Sequence, residues 1–387
     1  MITTDAWVLL AGSVSDKTSQ PARGALSRER FSFPDIAADE VLVEPLYGSW
    51  EANLEHGISR QPVDLCRERG EGPIVLGNLG VVRVLSGGSD TSQREGAICM
   101  VMPFGKMDPY GYAETVYAYE EPGTIGLLAK RTKVKADMLL PIPEDSRFSL
   151  TQWAAYARYF TAWDNWQIAR VCWMAQMPDV DPASMLVFGW GGGVVFAELE
   201  LARRAGFRVG MTASSDNRLA YLAEHNIIGL DRRLFPDLYF EPDKAHGNSE
   251  YITRYRASEE VFVKLISELS DGAGAAVFID NIGAPLYKAT LKALARQGVL
   301  ATVGWKHGMR TYNLRASECI KRHLHVNTHV WRYHDCPVIR DYQESTGWFP
   351  DIDTDAIYDF DDVPTLADAY SAGQVDSYFP LYRVNDV

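Results

Sequence analysis

At 387 residues the chain is long enough for two domains, each with its own core, and 47% hydrophobic against 23% charged residues excludes a disordered or fibrous protein. The formal net charge is 38 − 51 = −13. Such a surface repels phosphate backbones and anionic lipid, which sets aside nucleic acid and membranes as partners; an anionic cofactor would need a local cluster of cations or backbone donors.

Near the N-terminus, Trp7-Val8-Leu9-Leu10-Ala11 is strand-sized, too short for the apolar stretch of a signal peptide or a membrane span. The five cysteines, Cys66, Cys99, Cys172, Cys319 and Cys336, show no C-x-x-C spacing, and an odd, patternless set fits reduced thiols in a cytoplasmic protein. Residues 1 to about 155 read as β-rich, with strands expected at 40–43, 80–85 and 97–102, punctuated by Gly, Pro, Asp and Ser. From Leu150 the pattern turns helical, with Trp153, Ala154, Ala157, Phe160 and Ala162 at three-to-four spacing.

Between about 183 and 328 strands and helices alternate, the pattern of an α/β fold with a parallel sheet wound by helices. A strand at 185–188 leads to an amphipathic helix at 194–205, whose Glu198, Glu200, Arg203 and Arg204 are expected in water, as is Asp164. Further strands are expected at 207–211, 275–279 and 298–303, with a helix at 285–296, while 235–257 reads as an insertion loop. The last 60 residues return to mixed strand and helix and are expected to rejoin the first domain. The division expected is 1–157, completed by 330–387, and 158–329.

The most informative window is Phe188-Gly189-Trp190-Gly191-Gly192-Gly193-Val194-Val195, which follows a strand and opens a helix. Glycines let the backbone approach a pyrophosphate, and the helix N-terminus supplies free N–H donors with a partial positive charge. The usual last glycine of such a loop is replaced by Val194 or Val195, depending on register. An NAD site normally carries an acid at the end of the next strand; here the chain reads Ala213-Ser214-Ser215-Asp216-Asn217-Arg218. Small hydroxyls followed by Arg218 suit a 2′-phosphate, which favours NADP(H); Ser215 or Asp216 also reads as the cap of the following helix.

With these pieces in view, the chain resembles the medium-chain dehydrogenase/reductase superfamily. The resemblance rests on the order of Asp39-Glu40-Val41-Leu42-Val43-Glu44, Gly77-Asn78-Leu79-Gly80-Val81-Val82, Gly111-Tyr112-Ala113-Glu114-Thr115-Val116, Leu140-Pro141-Ile142-Pro143, Thr161-Ala162-Trp163, the glycine loop and Asp280-Asn281-Ile282-Gly283. It implies a GroES-like β-barrel catalytic domain, a Rossmann domain, a substrate that meets the nicotinamide between them, and a homodimer. It also places Thr161 and Gly304 beside the cofactor, with Lys306 as a further candidate for its phosphates. The zinc branch needs a Cys and a His where this chain reads Tyr47-Gly48-Ser49-Trp50-Glu51 and Gly77-Asn78-Leu79-Gly80, so no metal is expected.

The implied activity is NADPH-dependent reduction of an activated C=C, in an enone or an enoyl thioester, or of a carbonyl. A redox-neutral enzyme or binding protein that kept the fold is the alternative. Without zinc, hydrogen-bond donors must stabilise the developing oxyanion, which points to Tyr47, Trp50 and Asn78 in the place of the zinc site, each equally readable as barrel packing. Tyr159, one turn before Thr161, is a further phenol, with a core role as its plainer reading. Thr328-His329-Val330-Trp331-Arg332-Tyr333 is similar to the Ser-His-Phe element of crotonyl-CoA carboxylase/reductases and nominates His329. His323, His325 and His329 would share one face of a strand, without the acid or thiol spacing of a metal site.

Overall fold

The computed structural model describes residues 1–12, 22–304, 321–328 and 331–387. It divides into two compact units, Met1–Phe160 with Trp331–Val387, and Thr161–Val330. In chain order the first unit opens with β1 (Ile2–Leu9), β2 (Leu26–Phe33), β3 (Glu40–Ser49), β4 (Gly80–Gly87), β5 (Ile98–Val101), β6 (Thr132–Lys135) and β7 (Leu139–Pro141). The second holds β8 (Leu186–Trp190), β9 (Arg208–Ala213), β10 (Ile228–Asp231), β11 (Ala275–Asp280), β12 (Leu294–Thr302) and β13 (His325–Thr328). The chain then returns to the first unit with β14 (Ile357–Asp359) and β15 (Leu381–Arg383).

In the first unit β1 and β2 form an antiparallel ribbon, and β14-β15-β3-β4-β5-β7 form a mixed sheet in which β6 also pairs with β3. Strand β3 is the hub because Val41, Val43 and Leu46 are fully buried on one side of its pleat. It runs on from the expected 40–43 as far as Ser49, and that extension carries Tyr47 and Ser49 to the end of the sheet.

In the second unit the strand order is β10-β9-β8-β11-β12-β13, with every neighbouring pair parallel. This is a doubly wound sheet whose order reverses between β8 and β11, the point where such sheets receive ligands at their carboxyl ends. Strands β8 and β11 are buried along their whole length, hence their continuous apolar sequences, Leu-Val-Phe-Gly-Trp and Ala-Ala-Val-Phe-Ile-Asp.

Three expectations need correction. The stretch 235–257 is not one loop: a helix runs Ser249–Leu269, capped where Asn248 accepts from the Tyr251 N–H at 3.0 Å, and its buried Tyr255, Phe262 and Ile266 hold it to the core. Glu198, Glu200 and Asp164 are buried, at 0%, 7% and 5% exposure. The helix Gly193–Arg204 is covered on the side opposite the sheet as well, where Asn165 Nδ2 donates to both Glu198 oxygens at 3.0 Å. Burial holds the Glu198 carboxyl well above the usual carboxylate range. The histidine stripe does not form, because His323 lies in the left-handed region at φ 55 and β13 starts only at His325, whose Nε2 bonds Gln297 Oε1 at 2.9 Å.

Candidate functional site

Strand β8 runs into the glycine loop, Gly192 stands at the head of the helix, and the helix begins at Gly193. Gly191 has φ +154; a Cβ there would lie 2.6 Å from Val195 Cγ2 and 2.9 Å from Asn281 Cβ. A Cβ at Gly189 would meet Val195 Cγ1 at 2.6 Å. The missing last glycine is thereby explained: fully buried Val195 fills the gap between helix and strand, and Gly189 and Gly191 yield the room for it. A Cβ on Gly192 would meet nothing within 4 Å, so the backbone at the helix head faces open space.

Strands β11 and β12 end beside this loop. Gly304 packs so tightly that a Cβ would lie 2.4 Å from the Asn281 carbonyl carbon. Asp280, fully buried, accepts from the Ile282 and Gly283 N–H groups at 2.9 Å each, and burial raises its pKa to about 6. Val194 lies half-buried in the first turn of the glycine-loop helix, and Thr161 half-buried at the start of the second unit. Lys306 and His329 lie outside the described residues.

A cavity of about 410 Å³ opens next to the loop. Of the residues nominated from sequence it gathers Gly191, Ser214 and Arg218; it adds Trp190, Arg232, Arg233 and an apolar wall of Phe235, Leu238 and Leu286. The end of β9 carries no acid there. Ser215 caps the helix Asp216–Glu224, its Oγ accepting from the Arg218 N–H at 3.3 Å, so its hydroxyl is engaged in the fold. Arg233 pairs with Asp216 at 2.6 Å and Asp231 at 2.8 Å, and Arg218 and Arg232 also line the cavity. Trp190 was unexpected in a glycine loop; its ring packs 4.8 Å from Phe262 and 4.7 Å from Phe278, and anchors the loop to the core.

In the first unit, Trp50 (0%), Asn78 (2%) and Tyr159 (0%) are buried, and Tyr47 is half-buried on β3. Tyr159 packs on Trp348 and Phe379 at 4.7 and 5.9 Å, a core position. Ser49 Oγ, Trp50 Nε1, Glu51 Oε1, Asn78 Nδ2, Arg158 Nη1 and Tyr382 Oη are each enclosed and lack a hydrogen-bond partner. Of these residues, Trp50, Arg158 and Tyr382 are neighbours: β15 pairs with β3, setting Tyr382 opposite Gly48, and Arg158 Nη2 donates to the Trp50 carbonyl. The Trp50 and Tyr382 rings meet edge-on at 6.1 Å. Burial pushes the Glu51 carboxyl up to about 7. A hydroxyl, an indole and a carboxamide are poor zinc donors, and among the described residues no group of three or more His, Cys, Asp or Glu side chains could hold a metal ion.

Residues 193–349 match the family model for zinc-binding dehydrogenases. No curated protein matches the sequence. Among solved structures, the crotonyl-CoA carboxylase/reductase AntE in complex with NADP is 18% identical, with 98% of this chain and 94% of that one covered and a TM-score of 0.76. The 2-octenoyl-CoA carboxylase reductase CinF, in complex with NADP and 2-octenoyl-CoA, is 16% identical over 98% of this chain and 87% of that one, with a TM-score of 0.75. An alcohol dehydrogenase from the archaeon Aeropyrum pernix is 16% identical over 98% and 99%, with a TM-score of 0.73. At these identities the likeness is one of fold. The fold is thus that of these reductases and dehydrogenases, and the family match is confined to residues 193–349.

Proposed function

We propose that the protein is a zinc-independent, NADPH-dependent reductase of an activated C=C, in an enone or an enoyl thioester, or of a carbonyl. The observation that carries this reading is the loop at the switch point: Gly191 is held in a glycine-only conformation and Gly192 leaves open space before a helix N-terminus. Free backbone N–H groups there bind a diphosphate. Ser214 and Arg218, with no acid at the end of β9, fit the 2′-phosphate of NADP(H). AntE and CinF, which share the fold, were solved with NADP, and CinF with an enoyl thioester as well.

When bound, NADPH supplies the hydride. In place of a metal, the Trp50 indole and the Asn78 amide are, in this reading, the donors for the oxyanion that develops on the substrate carbonyl. Being already desolvated and fixed, they need little reorganisation as that charge appears. A homodimer through an edge of the parallel sheet, and a cytoplasmic site of action, complete the reading; light scattering on the purified chain checks the first. No helix among the described residues is long and apolar enough to cross a membrane.

The direct test is titration with NADPH followed by fluorescence, then loss of 340-nm absorbance with crotonyl-CoA, a benzoquinone or a simple aldehyde as acceptor. Saturable NADPH binding with turnover of one acceptor is expected; no affinity for either reduced nucleotide would sink the reading. The 2′-phosphate part is tested separately. Arg218→Ala is expected to weaken NADPH binding about tenfold or more, the loss of one charge-assisted pair, and to leave NADH binding within about twofold. An equal loss for both nucleotides would remove Arg218 from that role.

A further inference from the structure

We propose that Tyr251 is a positioning residue for the cofactor cavity: its hydroxyl fixes the segment 235–241, whose Phe235, Leu238 and Tyr239 form the wall that takes the flat base of the dinucleotide. This rests on the reductase reading above and carries it to the adenosine end of the cofactor.

The wall comes from a stretch with no regular structure of its own. Residues 235–241 are neither helix nor strand, yet Phe235, Pro236, Leu238 and Tyr239 all line the cavity, with Phe235 and Leu238 buried. Backbone of that kind keeps one shape only where neighbours satisfy its polar groups. Here the neighbour is one face of the helix Ser249–Leu269. Tyr251, Tyr255, Ser258 and Phe262 recur at intervals of four, three and four, so they share a stripe along that helix.

Each member of the stripe meets the segment, in reverse order along the chain. The Phe262 ring lies 5.3 Å from that of Phe235, Ser258 Oγ accepts from the Asp237 N–H at 3.2 Å, and the Tyr255 ring lies 5.0 Å from that of Phe240. Tyr251 comes last and binds twice: its Oη donates to the Tyr239 carbonyl at 2.6 Å and accepts from the Glu241 N–H at 2.9 Å. The Phe240 N–H between these two donates to the Pro285 carbonyl at 2.8 Å, next to Leu286 of the same wall. Tyr251 does not line the cavity, so it acts on a ligand only through the segment it holds.

The lining has two characters. Gly191, Ser214, Arg218 and Arg232 offer backbone, hydroxyl and guanidinium groups, whereas Phe235, Leu238, Tyr239, Ile282 and Leu286 offer mainly apolar surface. A diphosphate at the helix head and a phosphate at Arg218 use the polar part, which leaves the apolar part to the base. Such a surface holds a flat aromatic ring by burial and stacking, provided that its side chains stay in place. Without the Tyr251 hydroxyl two backbone groups lose their partner, and Leu238 and Tyr239 lose their fixed position.

The experiment uses the full chain, with calorimetric titration of NADPH and of adenosine 2′,5′-bisphosphate, which carries the adenosine end alone. Tyr251→Phe keeps the ring and removes only the hydroxyl. It is expected to raise both dissociation constants about fivefold, the effect of losing the hydrogen bonds that fix the wall. Leu238→Ala, which cuts into the wall itself, should weaken both ligands as well. Because these two changes act on one wall, the double variant should bind scarcely worse than Leu238→Ala alone. Tyr251→Phe combined with Arg218→Ala should instead show the product of the two separate losses. A hydroxyl with only a general structural role would multiply in both pairs. Unchanged affinity for adenosine 2′,5′-bisphosphate in Tyr251→Phe, or losses that multiply with Leu238→Ala, overturns the proposal and leaves the reductase reading standing. A wild type that binds neither ligand overturns the dinucleotide reading itself, and this role with it.

Discussion

A chain carrying Gly192→Ala is expected to keep the wild-type melting temperature and to bind NADPH roughly a hundredfold more weakly, about 2.8 kcal/mol at 1.4 kcal/mol per decade. The position separates folding from binding because an added Cβ would touch nothing within 4 Å. The methyl would therefore occupy the space assigned to the diphosphate and nothing else. Gly191→Ala is the contrast. It forces an L side chain into φ +154 and against Val195 and Asn281, so stability should fall as well, by roughly 1–3 kcal/mol. Thermal denaturation and NADPH titration of both variants make the comparison. Undiminished binding by Gly192→Ala would show that no diphosphate lies at the helix head.

The second large effect concerns Glu198. Glu198→Ala leaves Asn165 Nδ2 buried without its acceptor and opens a void, which should cost about 2–4 kcal/mol. Glu198→Gln keeps the shape and removes the ionisation. In the folded chain the carboxyl is held protonated by burial, whereas in the unfolded chain it ionises near its ordinary pKa, about 4.3. Unfolding therefore releases a proton at any pH between those two values, and wild-type stability falls as pH rises through that window. The Gln chain escapes this loss, so its advantage in melting temperature over wild type should be smallest near pH 4 and grow towards neutrality. An advantage independent of pH would mean that Glu198 ionises alike in both states.

The alternation of the second unit was readable because parallel strands buried on both faces leave continuous apolar runs between helical segments, as at Ala275–Asp280. The loop was readable because three glycines in a row between strand and helix have few other uses. What escaped was set by contacts distant in sequence. Glu198 looked solvated because a charge on the side of a helix away from its sheet usually is; only the fold brings Asn165 over it. The apolar wall of the cavity at Phe235 and Leu238 was hidden inside a stretch read as a loop, since Pro, Asp and Gly there mark irregular backbone whether or not it is packed. Glu51 and Arg158 are ordinary charged residues in sequence. Their character comes from burial, which only the fold supplies.

The pairing of β15 with β3 has a bearing on how the chain folds. The first unit is interrupted: β15 adds to β3 at the far end of the sequence, and the Trp7 indole donates to the Phe360 carbonyl 353 residues away. Residues 161–330, by contrast, make up one compact unit from a continuous stretch of chain. In the first sheet, on the edge away from β4, residues 47–49 of β3 gain their partner only from β15, whereas 40–43 pair with the much nearer β6. Until β15 is in place those three positions are a short stretch of open strand edge, the kind of edge other chains can pair with.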